Sequence, residues 1–218
     1  MERLIEADLQ RLKTETLTAF RLAQAAVDTA VRSVFERDPA LADAVISGDA
    51  AIDAMECSLD AEVLRMLALH QPVAGDLRAI VGCMRCSGDI ERIGDQAVNI
   101  AERGLILLEL APQAPPPKLV ELAEATRDFL THTAECFTNL DLTMARRLCE
   151  ESDEILELNV SILKEMAEVM RDAARPVERA VQVCFIAHGL KRVCDQCTNI
   201  AESVVFTREG ACSRHRCD

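Results

Sequence analysis

The segment DIERIGDQAVNIAE, from Asp89 to Glu102, returns one hundred positions later as GLKRVCDQCTNIAE, from Gly189 to Glu202. Arg92, Asp95, Gln96, Asn99, Ile100, Ala101 and Glu102 all recur without a gap. Matching polar identities go beyond what helix propensity asks of a sequence, so the chain reads as two copies of one unit. Whatever it folds into must be buildable twice. Upstream, FERDPALADAVISGD and FTNLDLTMARRLCEESD share a Phe, an Asp and a second Asp about a dozen residues on, with small gaps.

Each unit is helical. Residues 1–38 contain neither Gly nor Pro, and Ile5, Leu9, Leu12, Thr16, Ala19, Ala23, Val27, Ala30 and Val34 recur at spacings of three and four, which predicts one long amphipathic helix. Asp38 before Pro39 is an N-cap followed by a first helical residue whose missing amide loses nothing. A second helix therefore runs to about His70, with Gly48 as a tolerated weak point and Pro72 as its interruption. A third extends from roughly Ala74 to Leu110. The stretch APQAPPP, Ala111 to Pro117, cannot continue a helix and reads as a linker. Beyond it a helix is expected from Lys118 to Asn139, another opening near Asp141, and a last one after Pro176. Ile155, Leu158, Ile162, Met166 and Val169 form one apolar stripe on the fifth. Aromatic residues make up only 3%, with no Trp or Tyr, which disfavours sheets. The expectation is an all-α chain of two tandem three-helix units, 1–110 and 118–209, joined by 111–117 and followed by a tail, 210–218.

Charge and motifs narrow the function. With 24 basic and 37 acidic residues the net charge is −13, so a nucleic-acid backbone is repelled. No apolar run approaches the roughly 18 to 20 residues of a membrane span. The opening MERLIEADLQRLKTE lacks the apolar core of a signal peptide, so a cytoplasmic protein reaching membranes only through partners is expected. The ten cysteines are read as reduced thiols. Cys83 with Cys86 and Cys194 with Cys197 lie in apolar helical patterns and read as core. Cys212, His215 and Cys217 form a weaker zinc-type set, and a metal-buffering or zinc-handling protein using the ten thiols is the alternative reading. Enzyme chemistry is disfavoured. The residues three before the four histidines are Leu67, Phe129, Phe185 and Cys212, so the Glu-x-x-His of di-iron bundles is missing. Phosphate-cradling and nucleophile-elbow motifs are missing too.

The repeated segment carries the candidate site. At about 100° per residue, Glu91, Asp95, Asn99 and Glu102 project within an arc of roughly 80°. Three carboxylates and an amide on one strip suit Mn²⁺, Fe²⁺ or Mg²⁺. A solvated acidic face softened by Arg92 or Arg85 is the competing reading, and the duplication weighs against it. Asp195, Asn199 and Glu202 repeat three of the four donors, but Lys191 replaces Glu91 and Gly189 replaces Asp89. A charged ammonium cannot ligate, so the second site should be weaker, absent or completed by other residues, and Lys191 is placed to pair with Asp195 instead.

Leu67 to Gly104 closely resembles the first signature of the PhoU family, phosphate-signalling regulators of bacteria and archaea. Gly189 to Gly210 resembles the second, including the Asn-Ile-Ala-Glu ending and the Arg214 and His215 tail. The resemblance implies two antiparallel three-helix bundles related by pseudo-symmetry. It also implies multinuclear iron, manganese or zinc sites around E(D)xxxD motifs, here Glu91-x-x-x-Asp95, with Lys191-x-x-x-Asp195 as the departing counterpart. Asp8 and Asp28 occupy acidic positions of the family's first helix and become candidates for facing ligands. The implied role is negative regulation of the phosphate-starvation response and of phosphate uptake. Such proteins bridge the ATPase subunit of a phosphate ABC transporter and a membrane sensor histidine kinase. A homodimer is compatible with an amphipathic bundle of this kind.

Overall fold

A computed structural model describes residues 2–171 and 177–210. These form α1 (Glu2–Glu36), α2 (Pro39–His70), α3 (Ala74–Leu108), α4 (Pro117–Asn139), α5 (Leu142–Arg171) and α6 (Val177–Glu209), with no strand among the described residues. None of these helices is long and apolar enough to cross a membrane.

Helix ends fall within a residue or two of the sequence reading, for local reasons. α1 stops at Glu36 because Arg37 adopts a left-handed φ of 56°. The Asp38 carboxylate then accepts from the Ala40 amide and caps α2. Leu140, with φ 50°, ends α4, and Asp141 Oδ1 accepts from the amides of Thr143 and Met144 to start α5. α3 ends at Leu108, where the Arg37 guanidinium donates to the carbonyls of Leu107, Leu108 and Leu110. The Leu107 carbonyl also accepts from the Leu110 amide at 3.3 Å, so Arg37 reinforces the helix end as well as capping it.

α1, α2 and α3 pack on one another, and α4, α5 and α6 repeat the arrangement. Between the halves only equivalent helices meet, α3 with α6 and α1 with α4. That pattern is the mark of a pseudo-two-fold between tandem bundles. Along the α3–α6 seam, Gly82 lies against Thr207, Asp89 bonds Asn199, Arg92 bonds Gln196 and Ile100 lies against Gly189. Low numbers on one helix meet high numbers on the other, so the two run antiparallel, with Asp95 and Asp195 near the axis.

Burial follows the repeat. Ile80, Ile90, Ile93 and Ile100 of α3 are buried, as are Ala180, Leu190, Val193 and Ile200 one hundred positions on. On α2, Ala42, Val45, Ile52, Leu59 and Val63 are matched on α5 by Ala145, Leu148, Ile155, Ile162 and Met166, each 103 positions further on. Each large side chain so buried contributes about 1.5–3 kcal/mol.

The seam needs glycine at position 82. A Cβ there would meet Thr207 Oγ1, whose hydroxyl donates to the Ser203 carbonyl at 2.8 Å. Gly82→Ala should therefore lose about 1–3 kcal/mol in urea denaturation, the usual penalty of overpacking. In a Thr207→Ala background the same substitution should become neutral or stabilising, because alanine is the better helix former. Equal loss in both backgrounds would refute the close-approach account.

Candidate functional site

Glu91 and Asp95 sit one turn apart on α3, on the side facing α2. α2 runs antiparallel to α3: Glu56 Oε1 is 3.6 Å from where a Cβ of Gly88 would stand, and Asp49 Oδ1 is 3.3 Å from that of Gly94. Glycine at 94 is what admits the neighbouring helix, since Ile52 Cδ1 comes within 3.0 Å of the same point. Asp49, Asp53 and Glu56 follow one another at four and three residues on α2, so they share a face. Five carboxylates from two helices thus form one acidic strip.

The strip contains no cation of its own, and Arg92 beside it offsets its charge only in part. Burial, then the charges of Asp53 and Asp95, push the Asp49 carboxyl above its ordinary value. Burial, then Asp95, Glu56 and Asp53, push Glu91 up in the same way, with Arg92 alone opposing. Arg92 is turned elsewhere: it donates to Asp89 Oδ1 at 2.7 Å and to Gln196 Oε1 at 3.1 Å in the α3–α6 seam. The charges are gathered, yet the side chains do not converge on a point. Among the described residues no three His, Cys, Asp or Glu side chains stand close enough to hold an ion. The donor chemistry, oxygen only and anionic, fits a hard cation after side-chain rotation.

Other residues singled out in the sequence have different places. Asn99 is exposed and its amide donates to the Asp95 backbone carbonyl at 2.9 Å, one turn back. Glu102 is exposed and contributes to neither the Asp49 nor the Glu91 shift. Asp8 does not face Glu91. Its Oδ2 lies 2.9 Å from both Arg65 and His70, and these contacts hold its carboxyl down to about 2. Asp28 pairs with Arg127 at 3.0 Å and ties α1 to α4. The facing acids come from α2 instead, where Asp49-x-x-x-Asp53 carries the same acid spacing as Glu91-x-x-x-Asp95.

The second repeat presents a different face. The burial register puts Ser152 where Asp49 stands, Leu156 at Asp53 and Asn159 at Glu56, while Lys191 stands at Glu91. Asp195 alone survives, and Lys191 Nζ meets its Oδ2 at 2.7 Å, as the i, i+4 spacing predicts. Leu156 is 44% exposed and Asn159 only 4%. Asn199 is drawn into the seam, donating to Asp89 Oδ1 at 3.2 Å and Gln196 Oε1 at 3.3 Å. Glu202 is half-buried. Under the two-fold, the mate of Asp89–Asn199 would join Gly189 and Asn99, but Gly189 has no side chain and Ile100 packs against it.

The paired thiols are core. Cys83, Cys86, Cys194 and Cys197 are buried and free, and burial raises Cys83 to about 11, Cys194 to about 12, and Cys86 and Cys197 well up. They remain protonated near neutral pH, whereas zinc takes thiolates. Cys212, His215 and Cys217 lie outside the described residues.

The PhoU domain family model matches residues 16–104 and 119–204, one match in each repeat. The chain is 32% identical over 209 residues to the phosphate-specific transport system accessory protein PhoU homolog of Aquifex aeolicus (strain VF5), covering 96% of this chain and 95% of that one. It is 33% identical over 214 residues to the protein so named from Xylella fastidiosa (strain Temecula1 / ATCC 700964), covering 97% and 89%. The crystal structure of PhoU from Pseudomonas aeruginosa superposes with a TM-score of 0.89 at 28% identity, covering 94% of this chain and 99% of that one. The phosphate transport system regulatory protein PhoU from Streptococcus pneumoniae shares the fold, with a TM-score of 0.88 at 24% identity over 95% and 98%.

The acidic strip sets a pH dependence. Asp49 and Glu91 hold protons more readily in the folded chain than in the unfolded one, where 3.8 and 4.5 are ordinary. Without a divalent cation their contribution to stability therefore falls as pH rises above that range. Asp8 and Glu62, both lowered to about 2, act oppositely, and their stabilisation disappears as pH falls from about 4 toward 2. Glu91→Gln in chelator should gain a few tenths of a kcal/mol at pH 7, the scale of a relieved like-charge pair, and nothing at pH 3.5. Thermal melts at the two pH values check this; a loss at pH 7 would contradict it.

Proposed function

The chain belongs to the PhoU family, and from that premise we propose that it is a metal-dependent, non-enzymatic regulator accessory to phosphate-specific transport. The observation that carries the metal dependence is the only partly compensated carboxylate strip between α2 and α3. Asp49, Asp53, Glu56, Glu91 and Asp95 would hold the ion. Their all-oxygen character favours manganese or iron over zinc among the metals expected for the family. Such an ion supplies positive charge that neutralises the strip.

The chain's own residues do the rest. Arg92 is held by Asp89 and Gln196, so it cannot swing out to neutralise Glu91 without breaking the seam. The charge state of the outer face thus depends on what binds there. In the second repeat Lys191 already neutralises Asp195, and that face is constant. A regulator with one variable face and one constant face can dock on two proteins at once. The names of its relatives support a phosphate transport complex as the setting. We assign one face to the ATPase subunit of the phosphate ABC transporter and the other to a sensor histidine kinase, in the cytoplasm. The output is negative regulation of the starvation response and uptake, with a homodimer as the working assembly.

Elemental analysis of protein purified without chelator should find manganese or iron, with occupancy falling about tenfold in a Glu91→Gln, Asp95→Asn variant and equally in Asp49→Asn, Asp53→Asn. Lys191→Glu should add no second equivalent, since Ser152, Leu156 and Asn159 supply no carboxylate. Full occupancy in both double variants would sink the metal site. A pull-down from phosphate-replete cells that recovers neither the transporter nor a sensor kinase would sink the role.

A further inference from the structure

Where the two repeats are joined, the ends of α1 and α3, the start of α4 and the facing ends of α5 and α6 enclose a cavity of about 270 Å³. Pro115 and Pro116 of the linker close one side, and Phe35, Leu119, Met166 and Val183 make much of the wall apolar. Two guanidiniums, Arg37 and Arg179, also line it. In a chain of net charge −13, neither meets a carboxylate among the described residues.

Their hydrogen bonds leave an opening. Arg37 uses both terminal nitrogens on the carbonyls that end α3. Arg179 donates one terminal nitrogen to the Ala111 carbonyl, but its Nε is buried without an acceptor. A buried donor on a charged group is costly to leave unmatched, and a charge-assisted acceptor is the strongest partner available to it. Burial, then the charge of Arg37, makes the Arg179 charge harder to hold, which an anion would reverse.

We propose that this cavity binds an amphiphilic anion, its apolar chain among Phe35, Leu119, Met166 and Val183 and its anionic head on Arg179 Nε and the Arg37 guanidinium. A bare inorganic oxyanion is a poor fit, because the apolar walls cannot replace its water. A neutral alkyl chain is a poor fit because it leaves Nε without an acceptor. The head chemistry is shared by carboxylates and phosphate monoesters, and either would sit at the joint between the two repeats. A ligand there binds only the folded, joined form and so locks one repeat against the other. The acidic strip plays no part, so this site stands or falls separately from the metal.

With no Trp or Tyr in the chain, isothermal titration calorimetry on the full chain at pH 7 is the suitable readout. The probes are decanoate, decyl phosphate, decanol and inorganic phosphate, each below its micellar concentration. Decanoate or decyl phosphate should bind at least about tenfold more tightly than decanol, and inorganic phosphate should give no heat. The difference between the two anions identifies which head the site prefers. Arg179→Met keeps the apolar stem and should lower anion affinity about tenfold while sparing decanol. Val183→Phe should abolish binding of every alkyl probe, with far-UV circular dichroism confirming the helices. The proposal is overturned if decanol matches the anions, if inorganic phosphate binds as well as the decyl ester, or if no alkyl probe binds the unmodified chain. That ligand series needs no variant. Unchanged anion affinity in folded Arg179→Met overturns it as well.

Discussion

The antiparallel seam between α3 and α6 is the constraint from which the rest of the molecule takes its geometry. Gly82 and Gly189 let the helices approach, and the Asp89, Arg92, Gln196 and Asn199 side chains fix their register with bonds that cross the interface. A polar network anchored on buried groups tolerates one register well and others badly, because a slip would strand Asp89, which is only 5% exposed. Fixing the register also decides where charge is only partly compensated. Arg92 neighbours Glu91 in the chain but points into the seam, and the strip beside it is left to Asp49, Asp53, Glu56, Glu91 and Asp95. The seam and the acidic face are two consequences of one side-chain direction.

The two repeats present equivalent faces whose side chains differ. A set of acids on the fifth helix like that on α2 would have Lys191 as its cation. Instead Ser152, Leu156 and Asn159 stand at the corresponding places, so the repulsion is removed on both helices together. The one acid kept, Asp195, has its ammonium within the same helix. Asn159 is buried with an Oδ1 that meets no donor. Asymmetry between the copies leaves one face crowded with carboxylates and the other with a single acid paired to Lys191.

Much of this was legible in the chain. The hundred-residue repeat, Asp38–Pro39, Asp141 and the proline run place the helices because each acts through local backbone chemistry. The pairing of Lys191 with Asp195 was legible because it lies within one helix. The acids of α2 were not, although Asp49 and Asp53 have the right spacing. Their relevance depends on how deeply α2 settles against Gly94, a property of three-dimensional packing. Asp8 and Asp28 look equally eligible in one dimension, yet Arg65 and Arg127 arrive from other helices and occupy them. Asn199 repeats Asn99 letter for letter and faces a different partner because Gly189 differs from Asp89. The α2 and α5 registers differ from the α3 and α6 repeat by three residues, which hides the correspondence of Asp49 with Ser152 until burial reveals it.

A tandem repeat provides two of every helix but one joint. The linker residues Gln113 to Pro116 form part of the cavity wall, and no second proline segment closes an equivalent space among the described residues. The cavity is therefore the place where symmetry is broken by connectivity, whereas the two faces differ only by substitution. Arg37 makes the joint mechanical as well as chemical. It reverses the chain after α1 with a left-handed backbone and holds the end of α3, while Arg179 reaches from α6 to the linker carbonyl of Ala111. The Arg179 bond runs from the second repeat to the linker, so a change in how the repeats lean on each other would strain it. An anion gripping both guanidiniums would resist that movement, so the side chain that holds the end of α3 and the one that holds the linker are positioned to register what the cavity holds.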